Sequence, residues 1–182
     1  KMTSYELMKV LPLQLTNTQE AILFSVIKDL EDVTFDTILL GRKMTDGFVN
    51  HWENVTKDPN NPEYEAARIF VDTPKVVFTT TLTHSKWKNT VLAKGSIVEE
   101  VNRLKQQKGK DMIVYGGAGF VSSLVQHHLI DEYYLFVNPV VIGKGMRIFD
   151  SLHHSYPLNL VEARAFECGI VVLRYKAGEK NA

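Results

Sequence analysis

Two glycine-bearing segments hold the residues best suited to chemistry. In Asp111-Met-Ile-Val-Tyr-Gly-Gly-Ala-Gly-Phe120 a short apolar run enters a glycine cluster, and an apolar helical pattern follows at once. That order suits an anion. Glycines let backbone amides approach a phosphate closely, and the helix N-terminus behind them adds partial positive charge. Thr37-Ile-Leu-Leu-Gly-Arg-Lys-Met-Thr45 has the same design and carries two cations, Arg42 and Lys43. The helix macrodipole disfavours cations at a helix start, so a bound anion explains them better than solvent does. Two such loops in one small chain point to a ligand with several phosphates, such as a dinucleotide.

Plainer readings stand beside these. Gly116-Gly117 can end a strand tightly without any ligand. Gly117-Ala-Gly119-Phe-Val-Ser122 approximates a dinucleotide fingerprint, but Asn138 stands where the acidic residue is expected about 20 residues on. His127-His128 and His153-His154 invite a metal. Adjacent histidines point in different directions, and no third or fourth ligand is suitably spaced, so no metal is expected. Cys168 has no ligand spacing around it and reads as a packed or edge thiol.

The elements that must position the two loops follow from periodicity. A length of 182 residues with 45% hydrophobic content fits one compact domain over 1–182. Thr16 and Asn17 open a capping-box pattern, and Ile22, Leu23, Val26, Ile27 and Leu30 continue it as a helix over 18–31. Before it, Leu11, Leu13 and Leu15 alternate in strand fashion, with Pro12 confining any strand to an edge or a bulge. Helices are expected over 45–54 and 63–72, and after Ser96, which with Glu99 repeats the capping-box signal. Strands are expected over 37–40, 75–80, 90–93, 111–115 and 132–138, and a terminal hairpin over 158–167 and 170–176 turns at Cys168-Gly169. Strands alternating with helices imply a mostly parallel sheet, and the hairpin adds an antiparallel edge.

Composition bounds the partners. Lys+Arg and Asp+Glu both total 21, which argues against nucleic acid as a partner. A single cysteine excludes an internal disulfide and fits a reducing compartment. With no apolar run of the roughly 18 residues a membrane span needs, and no secretory core at the N-terminus, no membrane partner and a cytoplasmic location are expected.

Taken in order, several segments resemble the dihydrofolate reductase superfold. They are similar above all to the reductase domain at the C-terminal end of bifunctional riboflavin-biosynthesis deaminase/reductases and its stand-alone bacterial relatives. The segments are Ile38-Leu-Leu-Gly-Arg-Lys-Met-Thr45, Pro74-Lys-Val-Val-Phe-Thr-Thr-Thr-Leu82, Trp87-Lys-Asn-Thr90, Ile113-Val-Tyr-Gly-Gly-Ala-Gly-Phe120, Leu129-Ile-Asp-Glu-Tyr133, Asn138-Pro-Val-Val-Ile-Gly-Lys-Gly145 and Gly169-Ile-Val-Val-Leu-Arg-Tyr175. The resemblance implies a three-layer α/β fold, NADPH as cofactor, and reduction of a small heterocyclic substrate of pterin/folate or ribosylaminopyrimidine type. It implies that Gly41, Arg42, Lys43, Met44 and Thr45 lead a helix onto the pyrophosphate, with Thr45 capping that helix. Thr79 and Thr80, with Lys94 adding charge, would face the adenosine 2′-phosphate. Gly116, Gly117, Ala118, Gly119 and Phe120 would take the other side of the pyrophosphate. A homodimer is implied by the same analogy.

Residues 1–15 depart from the family, because Lys1-Met-Thr-Ser-Tyr-Glu-Leu-Met-Lys-Val10 holds no Ser-Leu-Asp-Gly-type turn. No catalytic residue is therefore assigned. The same departure supports a second class of function, a catalytically silent nucleotide-binding or dimerisation module.

Overall fold

In the computed structural model the described residues are 2–7, as a backbone strand, and 35–178. The expected helix over 18–31 and the alternation at 11–15 lie outside them. Strand β1 (Met2–Leu7) falls in a stretch to which the side-chain pattern had assigned no element. β2 (Phe35–Gly41) runs directly into α1 (Arg42–Val55), and α2 (Tyr64–Asp72) leads to β3 (Lys75–Phe78) and β4 (Thr90–Ala93). Next come α3 (Ile97–Lys105), β5 (Asp111–Val114), α4 (Ala118–Gln126) and β6 (Glu132–Val137). The hairpin β7 (Leu158–Ala165) and β8 (Val171–Ala177) closes the order.

The eight strands form one sheet in the order β4-β3-β2-β5-β1-β6-β8-β7. The first six are parallel, and β8 runs antiparallel to both β6 and β7. The structure is therefore α/β, mostly parallel, with the C-terminal antiparallel hairpin that the alternation implied. Cys168 lies exposed in the turn of that hairpin, not packed within a strand. Gly169 makes the turn with a φ of 87°, a conformation glycine adopts without steric cost.

Period-two alternation puts successive residues on opposite faces, and both faces are covered. Ile38, Leu40, Val77, Ile113, Tyr134 and Phe136 pack on one face against Phe48, Val49, Trp52 and Val55 of α1 and Ala67 and Phe70 of α2. Leu39, Val76, Met112, Val114 and Tyr133 pack on the other against Val101 of α3 and Val121, Leu124 and Val125 of α4. Layers of helix, sheet and helix result. The buried positions of α1, from Thr45 through Phe48, Val49, Trp52 and Val55, recur at helical spacing. Ser96 caps α3 as its sequence implied, accepting from the Glu99 amide at 3.2 Å.

The strand order reverses between β2 and β5. From β2 the chain steps outward to β3 and β4, then returns to β5 on the other side of β2 and goes on to β6. In open α/β sheets, ligands bind outside the carboxyl ends of the strands at such a switch point.

Candidate functional site

Both glycine loops sit at that reversal. β2 and β5 are neighbours with Leu39 opposite Val114, and each strand passes within a few residues into a helix. Gly41 is the N-cap of α1, in extended conformation, and as a glycine it lends the helix no side-chain cap. No acidic residue stands in its first turn, where Arg42 and Lys43 lie exposed. Gly117 is the N-cap of α4, again without a side-chain cap. Gly116 and Gly117 have φ of 117° and 86°, a region that L side chains rarely adopt. Uncapped amides at two adjacent helix starts, with cations at one, make a site chemically suited to an anion.

Two expected ligand residues hold the loops together. Met44, from α1, reaches over the second loop, and a Cβ on Gly116 would meet its Sδ at 3.4 Å. Phe120, from α4, lies against Gly41 and against the Phe78 ring, with centroids 4.8 Å apart. Both side chains are partly buried on the core. The capping role expected of Thr45 is not what the structure shows. The helix begins at Arg42, earlier than the 45 expected, so Thr45 is inside it and fully buried, and its hydroxyl donates to the Gly41 carbonyl at 3.1 Å. Gly119, by contrast, is exposed, and a Cβ there would meet nothing within 4 Å. Ala118 opens α4 beside it.

The threonine and lysine positions cluster one and two strands away. Thr79 follows β3, and its amide donates to the Ala93 carbonyl at 3.0 Å, tying the ends of β3 and β4 together. Its hydroxyl is buried and accepts from the amides of Thr81 and Leu82, each at 3.2 Å, so it shapes the loop. Thr80 beside it is exposed. Lys94, exposed after β4, donates to the Thr83 carbonyl at 3.0 Å. Lys94, Thr79 with Thr80, Gly41 to Thr45, and Gly116 to Phe120 thus follow the carboxyl ends of β4, β3, β2 and β5, four adjacent strands. A surface groove of Asp36, Glu65, Arg68 and Asp72 lies at the amino ends of β2 and β3 and includes none of them.

Sequence reasoning missed the latch that carries the 79–88 loop back to α1. Asp46 accepts from Trp87 Nε1 at 2.9 Å and pairs with Lys86 at 2.8 Å. Hydrogen bonds from Lys86 and then Trp87 hold its carboxyl below the usual carboxylate range. The partners are 41 residues apart, so no local pattern signals them. Glu132 was missed as well. It is the first residue of β6 and is buried, and Arg174 of β8 donates to it at 3.2 Å. Burial, above all, pushes the neighbouring Tyr134 phenol up to about 12.

Comparison with known proteins bears on the family and the fold. The family model of the RibD C-terminal domain matches residues 27–172. The chain is 34% identical over 140 residues to the protein named uncharacterized protein YyaP of Bacillus subtilis (strain 168), covering 77% of this chain and 73% of that one. Among solved structures it is similar to a putative riboflavin biosynthesis protein from Shewanella sp. PV-4, with a TM-score of 0.62 and 17% identity over 98% and 97% of the two chains. It is also similar to a dihydrofolate reductase from Enterococcus faecalis complexed with NADP(H), with a TM-score of 0.59 and 16% identity over 98% and 97%. At these identities the structural likeness establishes the fold, which is dihydrofolate reductase-like.

Proposed function

The chain belongs to the RibD C-terminal domain family, and from that premise we propose that it is an NADPH-dependent reductase of a small heterocycle, of the pterin/folate or ribosylaminopyrimidine class. One observation carries the proposal: two helix N-termini that begin on glycine, Gly41 and Gly117, meet at the sheet's reversal point, with Arg42 and Lys43 exposed beside them. Those residues fit a pyrophosphate. Amides at the starts of α1 and α4 would donate to its oxygens, and the two cations would offset its charge. Gly116, Gly117, Ala118 and Gly119 leave the backbone open to close approach. Met44 and Phe120 act as spacers that set the distance between the loops.

Thr80 and Lys94 are the exposed groups at the ends of β3 and β4, and in this reading they face the 2′-phosphate that separates NADPH from NADH. Thr79 holds the loop that presents Thr80, Lys94 is tied to the same loop through the Thr83 carbonyl, and the Asp46 latch fixes that loop against α1. When bound, NADPH supplies the hydride. The chain's share is to bind the cofactor and orient it, which is most of what hydride transfer asks of a protein. The proposed partner, beyond the substrate, is a second copy of the chain. Strand β7 is a sheet edge with Leu160 and Val161 exposed, a surface that invites pairing.

The test is cofactor oxidation. NADPH consumption should accelerate with at least one member of a panel of dihydropterins, dihydrofolate and ribosylated aminopyrimidinones, and Arg42→Gln should raise the KM for NADPH. Tight NADPH binding without oxidation across that panel would instead favour a silent nucleotide-binding module.

A further inference from the structure

The two histidine pairs of the sequence, 26 residues apart, meet in the fold. His128 at the end of α4 and His154 in the segment before β7 face each other through their Nε2 atoms at 3.3 Å. At that separation the two rings can share a hydrogen bond when no ion is bound. The same separation matches the spacing of two ligands that each lie about 2.0–2.1 Å from a tetrahedral zinc, which is roughly 3.3 Å.

His128 also sits where a histidine needs a reason. Helix α4 ends in a Schellman motif: the Leu129 amide donates to Leu124 at 3.0 Å, and the His128 amide to Val125 at 3.0 Å. His128 is the left-handed residue of that motif, with φ of 53°, a position glycine fills without steric cost. Its ring is held by the Tyr156 ring, with centroids 4.4 Å apart in an edge contact, and is aimed at His154.

We propose that His128 and His154 are a two-imidazole site for a divalent transition metal of the zinc, nickel or copper class, the class imidazole ligands suit. No third His, Cys, Asp or Glu joins them among the described residues, so water completes the coordination. The ion would staple the end of α4 to the segment before β7. The site is independent of the proposed reductase activity, since α4 presents its glycine loop at the opposite end.

Calorimetric titration of tag-free protein with Zn2+, Ni2+ and Cu2+ tests the assignment. One ion should bind per chain. His154→Ala and His128→Gly should each weaken it at least about tenfold, a loss that even the outer partners of a metal ligand can cause. His127→Ala and His153→Ala should leave it unchanged. His128→Gly places the usual residue at that helix end, so it keeps the fold while removing the ligand. With Cu2+ bound, electron paramagnetic resonance should show coupling to two imidazole nitrogens. Absence of binding with all three ions, or binding that survives both ligand substitutions, would overturn the proposal.

Discussion

A Cβ built on Gly41 would stand 2.9 Å from the Cβ of Phe120, so the carboxyl end of β2 and the first turn of α4 touch with no room for a side chain between them. That contact fixes the spacing of the two helix N-termini. Gly41→Ala should therefore destabilise the fold by about 1–3 kcal/mol through overpacking, read as a lower urea midpoint. In a Phe120→Ala background the same substitution should cost far less. Equal costs in both backgrounds would show that the contact does not set the spacing.

Two glycines of the second loop should respond in opposite directions. Gly117→Ala forces an L side chain to a φ of 86° and should cost about 1–2 kcal/mol. Gly119→Ala enters open space inside α4 and should be neutral or stabilising by up to about 1 kcal/mol. If a nucleotide lies on this turn, Gly119→Ala should still weaken NADPH binding. Thermal denaturation and cofactor titration on the same samples separate the two effects.

The Asp46 latch predicts a pH dependence. Its hydrogen bonds to Lys86 and Trp87 depress the carboxyl below its ordinary 3.8. A depressed acid contributes stability above the unfolded value and loses it as pH falls through the folded one. Trp87 emission should accordingly hold steady through pH 4 and change only below the ordinary carboxylate value. Asp46→Ala, which removes the acceptor, should give the released emission at neutral pH and lower NADPH affinity. An unchanged spectrum would mean that the latch does not hold the loop.

The buried polar group at the β6–β8 junction governs the alkaline side. Burial raises the Tyr134 phenol from its ordinary 10 to about 12. A raised phenol contributes stability fully below the unfolded value and loses it as pH rises through the folded one, so the decline should fall between pH 10 and 12. Tyr134→Phe should flatten that decline in denaturation curves taken across the window. Separately, Arg174→Met deprives buried Glu132 of its guanidinium and should cost about 3–5 kcal/mol at neutral pH.

What the sequence made legible follows from how local each signal is. The β5 run, its glycines and the apolar spacing of α4 are contiguous, and the structure places them as read. The β7–β8 hairpin was legible for the same reason, since Cys168-Gly169 interrupts two strand-like runs. β1 was not, because Met2 to Leu7 mixes polar and apolar residues, although β5 and β6 flank it in the sheet. Thr45 misled because a threonine near a helix start looks like a cap. Only the structure shows the helix beginning three residues earlier, which turns its hydroxyl inward. Asp46 with Trp87 and His128 with His154 are juxtapositions made by the fold, and their partners lie 41 and 26 residues apart.

The central claim is that the paired loops hold NADPH, and tryptophan fluorescence tests it most directly. Trp87 lies in the loop latched to α1, while Trp52 is buried against Phe70 and should be a quiet background. Titration should give a saturable emission change at micromolar NADPH, weaker binding of NADH, and a loss of affinity in Arg42→Gln. No change in emission at millimolar NADPH, with equilibrium dialysis also finding none bound, would contradict it.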